Sequence, residues 1–128
     1  MSFRIVRRKY ADLSGNGARL FGGRFNPPGV PANYTSESIA LALLEVLVHL
    51  EKSEVPNDLV VLTIAFNARQ VYRPKNVARL IQHDRAILRV PSVVVPRESN
   101  YVLFPAAPGF DATIEHVEPL FFDRRLLT

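Results

Sequence analysis

The stretch Ser36-Glu37-Ser38-Ile39-Ala40-Leu41-Ala42-Leu43-Leu44-Glu45-Val46-Leu47-Val48-His49-Leu50-Glu51-Lys52 reads as the one long helix of this chain. Thr35 or Ser36 offers an N-cap hydroxyl, and Glu37 places a carboxylate in the first turn, where the helix dipole favours it. The interior is Ala, Leu and Val almost throughout, so most of the helix must be buried. Glu45 and His49 interrupt that run. On a wheel of 100° per residue, Ser38, Glu45, His49 and Lys52 share a stripe about 60° wide. The stripe is either a solvent face or the wall of a cleft. On a cleft wall the carboxylate needs a cationic or hydroxyl partner.

Outward from the helix the chain breaks into short apolar runs, cut by ten prolines and six glycines. Before it, Phe3–Arg7 and Arg19–Phe21 read as strands. The loop from Asn26 to Asn33 is too rich in Pro and Gly for regular structure. After it, Leu59–Phe66 is apolar throughout and reads as a central strand, which Val71–Arg73 extends after a bend. Asn76–Asp84 is a short helix. Ile87–Val90 and Val93–Val95 are strands parted by Pro91. Tyr101–Phe104 and Thr113–Val117 are further strands, and Leu120–Asp123 closes the sheet. Helices do not alternate regularly with strands. The pattern is therefore α+β, a small, mostly antiparallel split sheet with one or two main helices, in a single domain over residues 1–128.

Composition narrows the function classes. The 128 residues contain no cysteine, which excludes disulfides, thiolate zinc sites and a cysteine nucleophile. His49, His83 and His116 lack ligand spacing, so no metal is expected, and no Gly-x-Ser-x-Gly nucleophile elbow occurs. Ile39–Leu50 is too short and too interrupted to cross a bilayer. Met1–Tyr10 lacks the apolar run of a signal peptide, so a cytoplasmic protein with no membrane partner is expected. Net charge is +4, and thirteen of the sixteen cations are Arg, a side chain whose planar fork suits phosphate. That leaves a nucleic-acid-binding protein and an enzyme for a phosphorylated small molecule both open.

Two more positions carry chemistry. Arg24 follows Gly22-Gly23, where a ligand can approach the backbone closely; it is either a phosphate clamp or a surface residue of a turn. The segment is neither a Walker loop nor a dinucleotide fingerprint. Tyr34 precedes the helix and is either a stacking ring or a hydrophobic staple.

Taken in order, these segments resemble the RES domain family, named for Arg, Glu and Ser. The match runs through Gly22-Gly23-Arg24-Phe25-Asn26-Pro27-Pro28-Gly29, Tyr34 and Ser38 to Glu45. It continues through Leu88-Arg89-Val90-Pro91-Ser92-Val93-Val94-Val95-Pro96 and Asn100-Tyr101-Val102-Leu103, and ends at Phe122-Asp123-Arg124-Arg125-Leu126. The resemblance implies a fold similar to diphtheria-type ADP-ribosyltransferase domains. It also implies the toxin of a bacterial toxin–antitoxin pair, with NAD as substrate, cleaved by hydrolysis or phosphorolysis or used to ADP-ribosylate a protein target. Arg24, Tyr34 and Glu45 are then the catalytic set: a phosphate or ribose clamp, a nicotinamide-stacking ring and a carboxylate beside the reacting carbon. Ser38, Ser92 and Asn100 join Arg24 and Tyr34 as polar contacts to NAD.

The implied partner is an Xre-type helix-turn-helix antitoxin that covers the NAD cleft and brings the complex to DNA, with a homodimer left open. Three features depart from the family: Phe25 replaces a usual Trp, Phe104 a usual Asn, and the stretch 74–86 is short. They keep a second reading open, an attenuated scaffold that only binds the antitoxin.

Overall fold

The computed structural model describes residues 1–76 and 84–128. The strands are β1 (Ser2–Arg7), β2 (Asn33–Ser36), β3 (Leu59–Phe66), β4 (Val71–Tyr72), β5 (Ile87–Pro91), β6 (Ser99–Leu103) and β7 (Ala112–Pro119). Among the described residues two α-helices, α1 (Asn16–Phe21) and α2 (Ile39–His49), interleave with them. The sheet order is β4-β5-β6-β2-β1-β3-β7, and every pairing except β4–β5 is antiparallel. The α+β, mostly antiparallel architecture read from the sequence is the one observed.

The split takes a particular form. β1 pairs with β3 over its whole length, but β1 and β2 share only the register pair Phe3↔Ser36. Two half-sheets, β4-β5-β6-β2 and β1-β3-β7, thus meet at one seam. Side chains alternate faces along each strand. On one face Val60, Leu62 and Ile64 of β3 pack with Ile87 of β5 and Leu103 of β6. Residues from distant strands can share a cluster only if the sheet bends around it. Burying each such side chain stabilises the fold by about 1.5–3 kcal/mol. The opposite face carries α2, whose Ala42 packs with Ile5 and Val61, with Phe3 and Val46 beside them.

Several boundaries differ from the sequence reading. Arg19–Phe21 is not a strand but the end of α1, where Arg19 Nε bonds Asn16 Oδ1 at 3.2 Å and Asn26 Nδ2 reaches Ala18 O at 2.8 Å. These contacts override the β-like reading of Leu20 and Phe21. Neither Thr35 nor Ser36 is the N-cap of α2. Both lie in β2, their hydroxyls donating to Tyr101 O and Asn100 Oδ1, and Ser38 caps the helix by accepting from Leu41 N at 3.1 Å. Glu37 therefore precedes the helix and accepts from Ser99 N. α2 ends at His49 rather than Lys52.

Val93–Val95 is a turn, because the amides of Val94 and Val95 are taken by Ser92 Oγ and have no strand partner. Val71–Tyr72 does not extend β3; it pairs in parallel with β5 at the far edge. Leu120–Asp123 adds no strand. Most of the Asn76–Asp84 helix lies outside the described residues. Phe104 is buried with Ala32, Leu88, Val90 and Val102, so at this position the ring is part of the core.

Candidate active site

Glu45 stands on the face of α2 that turns toward the sheet, one helical step from Ala42 and Val46, and is half-buried. Its carboxylate is clamped. Ser92 Oγ donates to Oε1 at 2.6 Å and Asn100 Nδ2 donates to the same oxygen at 2.8 Å. Both donors are themselves aimed. The amides of Val94 and Val95 donate to Ser92 Oγ at 3.0 Å, leaving its hydrogen for Glu45. Ser36 Oγ donates to Asn100 Oδ1 at 2.9 Å, which turns the amide hydrogens toward Glu45. Bonds that run in one direction polarise one another. Oε2 has no partner among the described residues.

The sheet register makes this possible. Ser36 pairs with Asn100, and Asn100 with Val90, so the three point to one face. Tyr34 and Val102 form the next row on that face. The polar row falls at the seam where β1 and β2 part, directly beneath α2.

Two hollows meet there. One, of about 470 Å³, is lined by Gly23, Arg24, Phe25, Val93 and Val94. The other, of about 420 Å³, runs along the seam past Phe3, Ser36, Val46 and Leu50. Tyr34, Glu45, His49 and Asn100 border both. Each volume is that of a small-molecule site.

The Arg24 loop faces α2 across the first hollow. Gly22 has φ +74°, which favours glycine, and Gly23 N donates to Asn26 O at 2.8 Å to close a tight turn. A Cβ on Gly23 would lie 2.5 Å from the Tyr34 hydroxyl, so only glycine admits that ring. Tyr34 Oη accepts from Phe25 N at 3.1 Å and donates to Asn26 Oδ1. Burial raises the phenol above its ordinary pKa, with the hydrogen bonds acting the other way, so it remains a donor. Arg24 is exposed; its guanidinium lies over the Phe25 ring, 5.2 Å from the centroid, and makes no hydrogen bond among the described residues. It is a free fork, positioned by stacking.

Arg24, Tyr34, Glu45 and Asn100 thus surround one hollow, while Ser92 touches Glu45 and not the hollow itself. Ser38 borders neither hollow; its hydroxyl is spent on the helix cap. Tyr34 is no staple on α2: it packs with the Ala32, Leu88 and Val102 cluster. Ser36 and Asn26 are the residues that sequence reasoning missed. Asn26 is buried, with Nδ2 donating to Ala18 O at 2.8 Å and Val30 O at 2.9 Å, and it pins the whole Arg24 loop. An Asn inside a Pro- and Gly-rich loop was the available signal, since its amide substitutes for missing backbone pairing.

Fold and site together define a small α+β protein whose cleft pairs a clamped carboxylate with a free arginine and an aromatic ring. The chain belongs to the RES domain family, whose model matches residues 2–83. It is 34% identical to "Toxin Res" of Photorhabdus laumondii, over 98% of this chain and 96% of that one. It is 31% identical to "Toxin Res" of Yersinia enterocolitica over 95% of both chains. To the "Prs ADP-ribosylating toxin" of a Sphingobium species it is 35% identical, over 76% of this chain and 74% of the other. Among solved structures, a chain of the M. tuberculosis MbcT–MbcA toxin–antitoxin complex superposes with a TM-score of 0.70 at 18% identity. That alignment covers 98% of this chain and 85% of that one, and shows a shared fold.

Proposed function

We propose that this protein is the toxin of a toxin–antitoxin pair and that it cleaves the nicotinamide–ribose bond of NAD. The observation that carries the reading is the clamp on Glu45, set opposite Arg24 and Tyr34 in a cleft with two lobes. A dinucleotide has two halves, and the two lobes meet where the bond to be broken belongs. Breaking that bond builds positive charge on the ribose, as in glycoside hydrolysis. A carboxylate fixed by Ser92 and Asn100 is already oriented when the charge appears, so little reorganisation is needed. The electron pair of the bond leaves with nicotinamide, and an acceptor then attacks the ribose carbon. Arg24 holds a phosphate, and Tyr34 offers its ring to the nicotinamide. Ser92, Asn100 and Ser36 act through Glu45 and are positioning residues.

The antitoxin is proposed to cover this cleft. Val48 and Val93 flank its mouth and are 62% and 71% exposed, an apolar rim beside the unpaired Arg24. A segment with apolar side chains and a carboxylate fits that rim. Expression of the chain alone in bacteria tests the function. Growth arrest with falling NAD is expected. Arrest at unchanged NAD leaves target modification, and no arrest leaves only the antitoxin-binding scaffold.

A further inference from the structure

Positive charge is unevenly spread along this chain. Between residues 67 and 99, seven cations stand against two carboxylates, an excess of five, whereas the whole chain carries +4. The cleft described above uses none of these cations. Arg73, Arg89 and Arg97 border one hollow of about 220 Å³, with Ser99 and a single carboxylate, Glu98. Arg73 and Arg89 also border an adjoining hollow of about 340 Å³, walled by Phe66, Val71 and Tyr101. Arg89 and Tyr101 point to the face of the sheet opposite Glu45, while Val90 and Pro91, at the end of β5, border both the smaller hollow and the Arg24 hollow. Arg89 and Tyr101 are direct partners between β5 and β6, in the row that alternates with Val90 and Asn100.

Three guanidinium groups around one hollow repel each other unless an anion joins them. No ion pair among the described residues engages any of the three. Arg89 is held ready. Its Nε donates to Ser99 Oγ at 3.0 Å and its guanidinium carbon lies 5.7 Å from the Tyr101 ring centroid. Its terminal nitrogens make no hydrogen bond among the described residues, which is the fork that takes two phosphate oxygens. Beside it the Phe66 and Tyr101 rings stand 5.4 Å apart. They offer an aromatic wall for a flat base.

We infer that this double hollow is a second nucleotide site, separate from the NAD cleft. The phosphate sits among Arg73, Arg89 and Arg97, and the base rests against Phe66 and Tyr101. The ligand class is a nucleotide 5′-phosphate, free or as a unit of single-stranded nucleic acid.

Amide chemical shifts of the ¹⁵N-labelled full chain test this, with uridine monophosphate, inorganic phosphate and an oligothymidylate of about ten nucleotides as probes. Uridine monophosphate should shift Phe66, Val71, Arg89 and Arg97 and leave Gly23 and Glu45 in place. Inorganic phosphate should shift Arg89 and Arg97 only, with about tenfold weaker affinity or worse. Arg89→Gln should weaken nucleotide binding about tenfold or more. Arg97→Gln, an exposed turn substitution, should weaken it too with an unchanged melt. Tighter binding of the oligonucleotide assigns the site to nucleic acid, and equal or weaker binding assigns it to free nucleotide; either supports the site. Shifts confined to Gly23 and Glu45, equal affinity in both arginine variants, or no binding at millimolar nucleotide overturns it.

Discussion

Glu45→Gln isolates charge from shape at the centre of the cleft. Both hydrogen bonds to Glu45 end on one oxygen, from Ser92 at 2.6 Å and Asn100 at 2.8 Å. A glutamine carbonyl can occupy that oxygen and accept both. The amide nitrogen then takes the place of Oε2, and its partial positive charge meets the ribose where a full negative charge stood. The fold should be indifferent, with a melting temperature within about 2 °C of wild type, because no buried bond is lost. The chemical step should suffer. A positioned electrostatic group is worth about 2.7–4 kcal/mol in the transition state, so kcat for NAD cleavage should fall roughly 100- to 1,000-fold. KM should change far less than kcat, since the positive charge of NAD sits on the nicotinamide ring in the ground state and passes to the ribose beside Glu45 only as the bond breaks. Nicotinamide release from purified protein, measured across NAD concentrations, gives both constants. Ser92→Ala provides the control for the clamp: kcat should fall about tenfold, and stability should fall as well, because the amides of Val94 and Val95 lose their acceptor. A folded Glu45→Gln protein with wild-type kcat would refute the catalytic role of Glu45 and the mechanism built on it.

Tyr34→Phe keeps the ring but strands buried Asn26 Oδ1 and the Phe25 amide, so it should cost about 1–3 kcal/mol, readable as a lower midpoint in urea, and raise KM for NAD. Arg24→Ala should raise KM about tenfold or more with little change in melting temperature, because the exposed guanidinium only stacks on Phe25; unchanged NAD affinity by titration would remove Arg24 from the phosphate clamp. Asp12 accepts from the Ser14 hydroxyl at 2.7 Å and amide at 3.0 Å, which holds its carboxyl below the usual range. Its folded pKa is depressed, so its contribution is complete above the unfolded value of about 3.9 and fades as pH falls through the lower folded value. Urea midpoints at pH 5 and pH 3 should therefore converge in Asp12→Asn, relative to wild type.

What could be read from the sequence and what could not divide along a physical line. β3, β5, β6 and β7 were legible because burial writes itself into a run of side chains: Leu59–Phe66 is apolar but for Thr63, and Thr113–Val117 alternates. α2 was legible for the same reason. Arg19–Phe21 and Val93–Val95 misled because runs of two or three apolar residues carry no period. Their conformations are set by side-chain hydrogen bonds to the backbone, from Asn26 to Ala18 O and from the Val94 and Val95 amides to Ser92 Oγ, which compete with strand pairing and leave no periodic mark. The N-cap was misplaced by two or three residues because Thr35, Ser36 and Ser38 are equivalent as text. Only the pairing of β2 with β6 takes the first two out of contention. At the site, Arg24, Tyr34 and Glu45 were visible as odd residues in their surroundings. The clamp was not, because Ser36, Ser92 and Asn100 look like ordinary polar residues of strands and turns until the register sets them side by side.

That register explains why a charged residue sits in so apolar a helix. A carboxylate turned toward a sheet is costly to bury without donors. Here the donors come from the row Ser36–Asn100 and from the turn after β5, and both exist only once β2, β5 and β6 have paired. The helix can therefore seat its polar face only on a correctly assembled sheet, and the cleft lies at the place where β1 and β2 nearly part. Closing that seam with a longer β1–β2 ladder would strengthen the sheet and remove the hollow lined by Phe3, Ser36 and Glu45. The single pair Phe3↔Ser36 is thus a compromise between holding the half-sheets together and keeping room for a ligand beside Glu45.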